Sequence, residues 1–256
     1  MHPILLKIGP ITVYSYGTMI ALGFAVSLFL ICRQAIRNNM DKDLVINLVF
    51  ITLLAGFTGG RILYVLLNIR YYLGNPLEIF NLSKGGLVYY GGFIAGVAAF
   101  AYYSIKKGMG FWNAADICVP YLALTQSFGR IGCFLNGCCY GKPAPADFSF
   151  GMACLRLDTA VYPTQIYASF ILLLIYIVLR YWQGRRRFKG EIFLAYAMIY
   201  STQRFFVEFL RGDNAQIFLG LTVSQVISVT VFVLGGTLFI IKDREWEKKK
   251  ARSILK

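Results

Sequence analysis

The chain has 256 residues, a formal net charge of +14 and a mean hydropathy of +0.60. Hydrophobic side chains make up 57% of it, above the about 45–50% of a soluble domain, which argues against a water-soluble enzyme. The basic residues flank apolar blocks, so the positive balance points to a membrane and speaks against nucleic-acid binding.

The apolar residues fall in blocks of about 20, the length that crosses roughly 30 Å of hydrocarbon. Seven spans are expected in chain order: Tyr14–Ile31, Leu44–Leu67, Leu87–Ile105, Trp112–Phe128, Gln165–Trp182, Ile192–Leu210 and Leu221–Ile241. The fourth is the weakest. It is short, begins near Asp116 and contains Pro120, so a broken, tilted or re-entrant segment is expected there. The first lacks a cleavage site and is read as a span, not a signal peptide. The fold class is therefore all-α: a polytopic membrane protein of about seven transmembrane helices, forming a single domain over residues 1–256.

Orientation follows from the Lys and Arg at the span ends. With the N-terminus outside, the inner segments Arg33–Lys42, Lys106–Lys107, Arg180–Lys189 and the tail from Lys242 hold 17 basic residues, against 8 outside. The C-terminus is thus cytoplasmic, and the tail REWEKKKARSILK reads as an anchor against anionic lipid heads. Two outer loops, at about 68–86 and 129–164, are long enough to carry short interfacial helices or ordered turns. Tyr71, Tyr72 and Phe80 are expected to hold the first of these.

Six cysteines are present, three of them in GRIGCFLNGCCYG at 129–141. The spacing C-x4-C-C fits no usual zinc or haem pattern, so no metal site is expected. Cys133, Cys138, Cys139 and Cys154 are read as tight packing or a structural disulfide, with thiol redox or nucleophilic chemistry as the alternative.

Charges inside the spans say more, because an ionisable group in hydrocarbon is costly and usually functional. Arg61 follows Gly59 and Gly60. Arg130 follows Gly129. In the sixth span Tyr200, Arg204, Glu208 and Arg211 recur at steps of four, four and three, which puts them on one helical face. An internal ion pair between Arg204 and Glu208 is one reading of that face. The arginines outnumber the acid, however, and an anion would balance the excess. Phosphate fits the guanidinium fork.

These residues resemble the prolipoprotein diacylglyceryl transferase family nearly end to end. The resemblance is carried by GPITVYSYG, GGRILYVL at 59–66, YYGGFIAG at 89–96, YPTQIY at 162–167, YSTQRFFVEFLRGDNAQ at 200–216 and LTVSQVIS. Its centre is GRIGCFLNGCCYG, similar to the family signature G-R-x-G-N-F-x-N-G-E-x-x-G. The resemblance implies a bacterial inner-membrane, multi-pass transferase without a cofactor. Such enzymes move the diacylglyceryl group of phosphatidylglycerol onto the lipobox cysteine thiol of a prolipoprotein signal peptide. A thioether forms and glycerol phosphate leaves.

By position in these motifs, Arg130 and Arg204 are the expected phosphate-binding and catalytic cations. Tyr16, Tyr200, Asn136, Gly91, Gly92, Gly141, Arg61, Glu208 and Arg211 complete the expected substrate site. The departures lie on the proton-accepting side. Cys133 replaces the signature asparagine and Cys138 the signature glutamate. Tyr90 stands where a histidine commonly precedes the paired glycines, Tyr162 where another precedes the P-S-Q-L-Y motif, and Ala168 where a glutamate follows it. His2 is the only histidine. Tyr90 becomes the expected catalytic base, provided that neighbouring cations help it ionise. These losses keep two alternatives open: a phosphatidylglycerol-binding relative without turnover, and a membrane thiol–disulfide oxidoreductase.

Overall fold

The computed structural model describes residues 2–9, 11–38, 40–81, 85–145, 151–154, 157–211, 216–218 and 220–254. Lys84 and Arg156, counted above among the outer charges, lie outside them. Seven helices of 18 or more residues are present among the described residues: α1 (Ser15–Arg37), α2 (Lys42–Leu67), α4 (Tyr89–Lys106), α5 (Phe111–Asn136), α6 (Thr164–Gln183), α7 (Glu191–Phe209) and α8 (Val223–Ile254). Each overlaps one expected span. Four of them, α1, α2, α6 and α8, are long and apolar enough to cross a membrane by length and composition. Large apolar side chains such as Phe29, Leu54 and Phe170 point outward, as they do when lipid is the solvent.

Short hairpins accompany the helices. They pair β1 (Ile4–Ile8) with β2 (Ile11–Tyr14), β3 (Met152–Cys154) with β4 (Leu157–Val161), and β5 (Gln216–Phe218) with β6 (Leu221–Thr222). Their strands are too short to signal a period-two pattern. The chain divides into two compact units, Met1–Leu30 with Ala115–Lys256, and Ile31–Ala114.

In the second unit, α2 and α4 cross on glycines. A Cβ on Gly59 would lie 2.6 Å from the Gly91 carbonyl oxygen, and one on Gly91 only 2.4 Å from that of Gly59. A Cβ on Gly92 would meet the Gly56 carbonyl at 2.9 Å. Backbone contact of this kind is how membrane helices pack without a hydrophobic driving force. It explains both glycine pairs by helix packing.

The loop after α2 is ordered as expected, by the short helix α3 (Ile69–Gly74) and a 3-10 turn at Pro76–Phe80. The means differs from the expectation. Phe80 is 84% exposed and holds nothing, whereas Tyr72 is buried and Tyr71 donates to Glu78 Oε2 at 2.8 Å. The main tie is Arg61. Its Nε donates to Ile79 O, Nη1 to Gly85 O and Gly86 O, and Nη2 to Glu78 O and Asn81 O, at 2.7–3.1 Å. Tyr64 and Tyr72 flank the guanidinium. Gly86 is required beside it: φ is +90°, and a Cβ would sit 2.7 Å from Nη1.

In the first unit, Val119 and Ala123 of α5, Leu172, Ile175 and Leu179 of α6, and Ile192, Ala195 and Tyr196 of α7 form the core. The fourth expected span needs correction. α5 runs unbroken for 26 residues through Pro120. Proline has no N–H to bond the carbonyl four residues back, which here is Asp116. That carbonyl is taken instead by Gln183 Nε2 at 2.7 Å. The Asp116 carboxylate, fully buried, accepts from the backbone N–H groups of Gly190 and Phe193 at the start of α7 and from Arg186 at 3.2 Å. Asp116 therefore joins α5 to the α6–α7 turn, and caps the N-terminus of α7 where a negative charge is favoured.

Asp116→Ala is expected to cost about 2–3 kcal/mol, since it leaves the N–H groups at the start of α7 without their buried acceptor. Unfolding of the detergent-solubilised protein by added denaturing surfactant, followed by circular dichroism, measures this. Gln183→Ala is expected to lower stability by about 1–3 kcal/mol, because it exposes the carbonyl that Pro120 leaves open.

Candidate functional site

The site residues of the first unit collect where α5 and α7 end. Gly132 lets α1 approach α5: a Cβ there would meet Tyr16 Cδ2 and Met19 Cβ at 3.2 Å. Gly23 does the same one level along, against Phe128, and Thr125 donates to Ser27 Oγ at 2.8 Å. Tyr16, 41% exposed, is thereby brought within electrostatic reach of Arg130, Cys133, Cys138 and Cys139. Arg130 itself lies inside α5, and the loop starts only after Asn136. The loop that follows α5 therefore starts later than the expected 129.

Arg204 and Glu208 are partners on α7, with Nη2 to Oε2 at 3.1 Å and Glu208 wholly buried. Arg204 also donates to Ser224 Oγ at 3.0 Å, and Thr222 donates to Glu208 Oε1 at 2.9 Å. Arg211 does not continue that helical face. It lies past the end of α7, forms an isolated β-bridge with Gly141, and keeps Nε 4.0 Å from Glu208 Oε2. Tyr200, one turn before Arg204, stacks on Tyr196 at 5.5 Å. Arg204 lies within electrostatic reach of Arg211, Arg130 and Tyr200 as well as Glu208. Arg204 thus has one carboxylate and two further guanidiniums within electrostatic reach. Arg130, half-buried, has no hydrogen bond or ion pair among the described residues.

Gly141 is where three segments meet. Its N–H donates to Tyr162 O at 2.9 Å, Lys142 N–H donates to Leu210 O at 2.7 Å, and a Cβ on Gly141 would come within 2.8 Å of Leu210 O and of Tyr162 O. Its place in the expected site is structural: it ties the cysteine loop to the end of α7. Thr164 and Gln165, buried at the start of α6, hold the same loop by donating to Cys139 O at 3.0 Å and Cys138 O at 2.8 Å. Cys139 adopts a left-handed φ of +62°, uncommon for a residue with a Cβ. All three loop thiols are free. A hydrogen bond from Cys133, together with the Arg211 and Arg130 guanidiniums, outweighs burial and holds the Cys139 thiol below the ordinary thiol range.

The remaining expected residues lie in the second unit. Gly91 and Gly92 form the α2–α4 crossing. All five N–H groups of Arg61 are bonded to carbonyls, which leaves none for a phosphate in this conformation. Tyr90, at the first turn of α4, is 55% exposed and has its ring edge-on to Tyr89.

Ser224, Thr222, Thr164 and Gln165 were not singled out from the sequence, although each lies in a segment that carried the family resemblance. Their roles are contacts made across the fold, which no spacing encodes.

Helices long and apolar enough to cross a bilayer define an integral membrane protein. A family model for prolipoprotein diacylglyceryl transferase matches residues 3–241. A phosphatidylglycerol–prolipoprotein diacylglyceryl transferase of Clostridium tetani is 35% identical over 94% of this chain and 98% of its own. Enzymes of the same name from Clostridium perfringens and Geobacillus kaustophilus are 34% and 32% identical, over 97% and 96% of this chain and 98% and 95% of theirs. The chain belongs to the prolipoprotein diacylglyceryl transferase family.

Arg61→Lys is expected to loosen the segment that follows α3, since an ammonium offers three donors where the guanidinium offers five. Limited proteolysis should then cut between residues 75 and 86 faster than in the parent. Equal cutting rates would show that the carbonyl cage is dispensable.

Proposed function

We propose that the protein transfers the diacylglyceryl group of phosphatidylglycerol to the lipobox cysteine thiol of bacterial prolipoproteins, in the cytoplasmic membrane. In this reading the seven long helices all cross the bilayer, with the N-terminus outside and the basic end of α8 in the cytoplasm. The excess of Lys and Arg at one set of helix ends supports that orientation.

The observation that carries the proposal is Arg130. A half-buried guanidinium without a partner among the described residues, beside Arg204 and Arg211 and only one carboxylate, is suited to a phosphodiester. The substrate thiol must first be ionised, because the thiolate is the nucleophile. It attacks the glyceryl carbon that bears the phosphate oxygen. The carbon–sulfur bond forms, the carbon–oxygen bond breaks, and its electron pair leaves on the phosphate of glycerol phosphate. Arg130 and Arg204 hold the phosphate oxygens and stabilise the charge gathering on the leaving group. Glu208, Ser224 and Thr222 fix the pose of Arg204. Tyr16 and Tyr200 line this site, and Asn136, half-buried at the end of α5, belongs to it by its place in the motif. Tyr90, as the phenolate, is assigned the thiol proton on the same ground alone.

The purified protein is mixed with phosphatidylglycerol vesicles and a synthetic lipobox peptide, and the peptide mass is followed. A diacylglyceryl adduct is expected. Arg130→Ala should lower its rate by about a hundredfold or more, the usual loss when a preorganised donor to developing negative charge is removed. Lipid binding with no adduct, alongside a family member that produces one, would overturn the transferase reading. An unchanged rate for Arg130→Ala would overturn the assignment of Arg130.

A further inference from the structure

Among the described residues, Cys133, Cys138 and Cys139 are the one group of three ligand-type side chains whose donor atoms converge: their sulfurs all lie within 4.8 Å of one another. The linear spacing hides this. Cys138 N–H and its thiol both return to the Cys133 carbonyl, at 3.1 and 3.6 Å, which closes the loop over the end of α5. Gly137 at φ +71° and Cys139 at φ +62° make the turn that brings the adjacent thiols back to the same place as Cys133. The Thr164 and Gln165 side chains then pin both cysteine carbonyls from α6. The thiols are therefore held before any ligand arrives.

We propose that Cys133, Cys138 and Cys139 form a trigonal thiolate site for a soft monovalent cation, Cu(I). The distances fit. Three sulfurs at about 2.3 Å from one ion stand about 4 Å apart, so the present cluster has to contract by less than about 1 Å. The donor set also chooses the ion. Thiolates select soft metals such as Cu(I) and Zn(II), and Zn(II) in structural sites takes four ligands. No fourth His, Cys, Asp or Glu joins the group among the described residues. Three thiolates and one Cu(I) carry two net negative charges, and Arg130 and Arg211 lie within electrostatic reach of this cluster to offset them. Binding displaces the thiol protons, which pass to solvent. The proposal does not rest on the transferase reading, although Arg130 borders both sites, and its readout is metal binding.

The test uses the full-length protein, reduced and anaerobic in detergent, titrated with Cu(I) against a chromogenic Cu(I) chelator, with Zn(II) in a parallel arm. The expected result is one Cu(I) per chain, with three sulfur neighbours by X-ray absorption. Cys139→Ser and Cys133→Ser should each weaken binding by at least about a hundredfold, since loss of an outer-shell partner alone costs 10–100-fold. Cys118→Ser should bind like the parent. Each variant is checked by size-exclusion profile and circular dichroism. Gln165→Ala keeps every thiol and should weaken binding by loosening the loop. Failure of the parent to bind Cu(I) one-to-one, equal binding by both loop variants, or tighter retention of Zn(II) than of Cu(I) would overturn the proposal.

Discussion

A hydrocarbon surrounding offers no hydrogen bonds, so each polar group placed within it must find its partner inside the protein. That constraint shapes this chain more than its apolar content does. Asp116 is tolerated in α5 because two helix-start N–H groups and Arg186 converge on it. Pro120 is tolerated one turn later because Gln183 reaches the carbonyl that proline cannot bond. Arg61 is tolerated because five carbonyl oxygens surround it. In each case a group that is expensive alone becomes a tie between segments.

The same accounting separates arginines that look alike in sequence. Arg61 and Arg130 both follow glycine in segments that carry the family resemblance. Arg61 has five acceptors and nothing left to offer. Arg130 has none among the described residues, and its neighbours Arg204 and Arg211 share one carboxylate. Sequence can count cations and acids along a helix face, and that count was enough to suggest an anion. It cannot count backbone carbonyls, which have no letter. Arg61 was expected in the lipid site, and its five donors are engaged by such carbonyls here.

The helices were legible for a plain reason: a block of about 20 apolar residues in a membrane protein has few alternatives to a helix. Each of the seven long helices overlaps an expected span. The errors fall where a local rule was overridden by a distant partner. Pro120 argued for a break in α5, and Gln183, 63 positions further along the chain, removed the reason for one. Gly91 and Gly92 entered the expected substrate site by resemblance alone, and spacing did not show that a Cβ on either would meet the backbone of α2. Arg211 kept helical spacing with Glu208 but lies beyond the helix end, drawn aside by its bridge to Gly141.

The cysteine loop follows the same logic in reverse. Zinc and haem patterns are recognised by spacing because their ligands usually sit on regular turns, whereas here the sulfurs are gathered by two left-handed residues, Gly137 and Cys139. A glycine makes that turn at little cost, whereas a cysteine strains it, and a strained residue persists only where its surroundings over-determine it. Thr164 and Gln165 supply that determination through the two cysteine carbonyls. Cys133 and Cys138 stand where the resemblance leads one to expect asparagine and glutamate, so two soft sulfurs lie near Arg130 in place of two hard, oxygen-bearing side chains. Hard oxygen donors would serve protons and hydrogen bonds next to a phosphate. Sulfur is poor at both, and the chemistry it does well is with thiophilic ions. The cysteines thus leave fewer hydrogen-bonding groups beside Arg130 and gather a set of soft donors on the same loop.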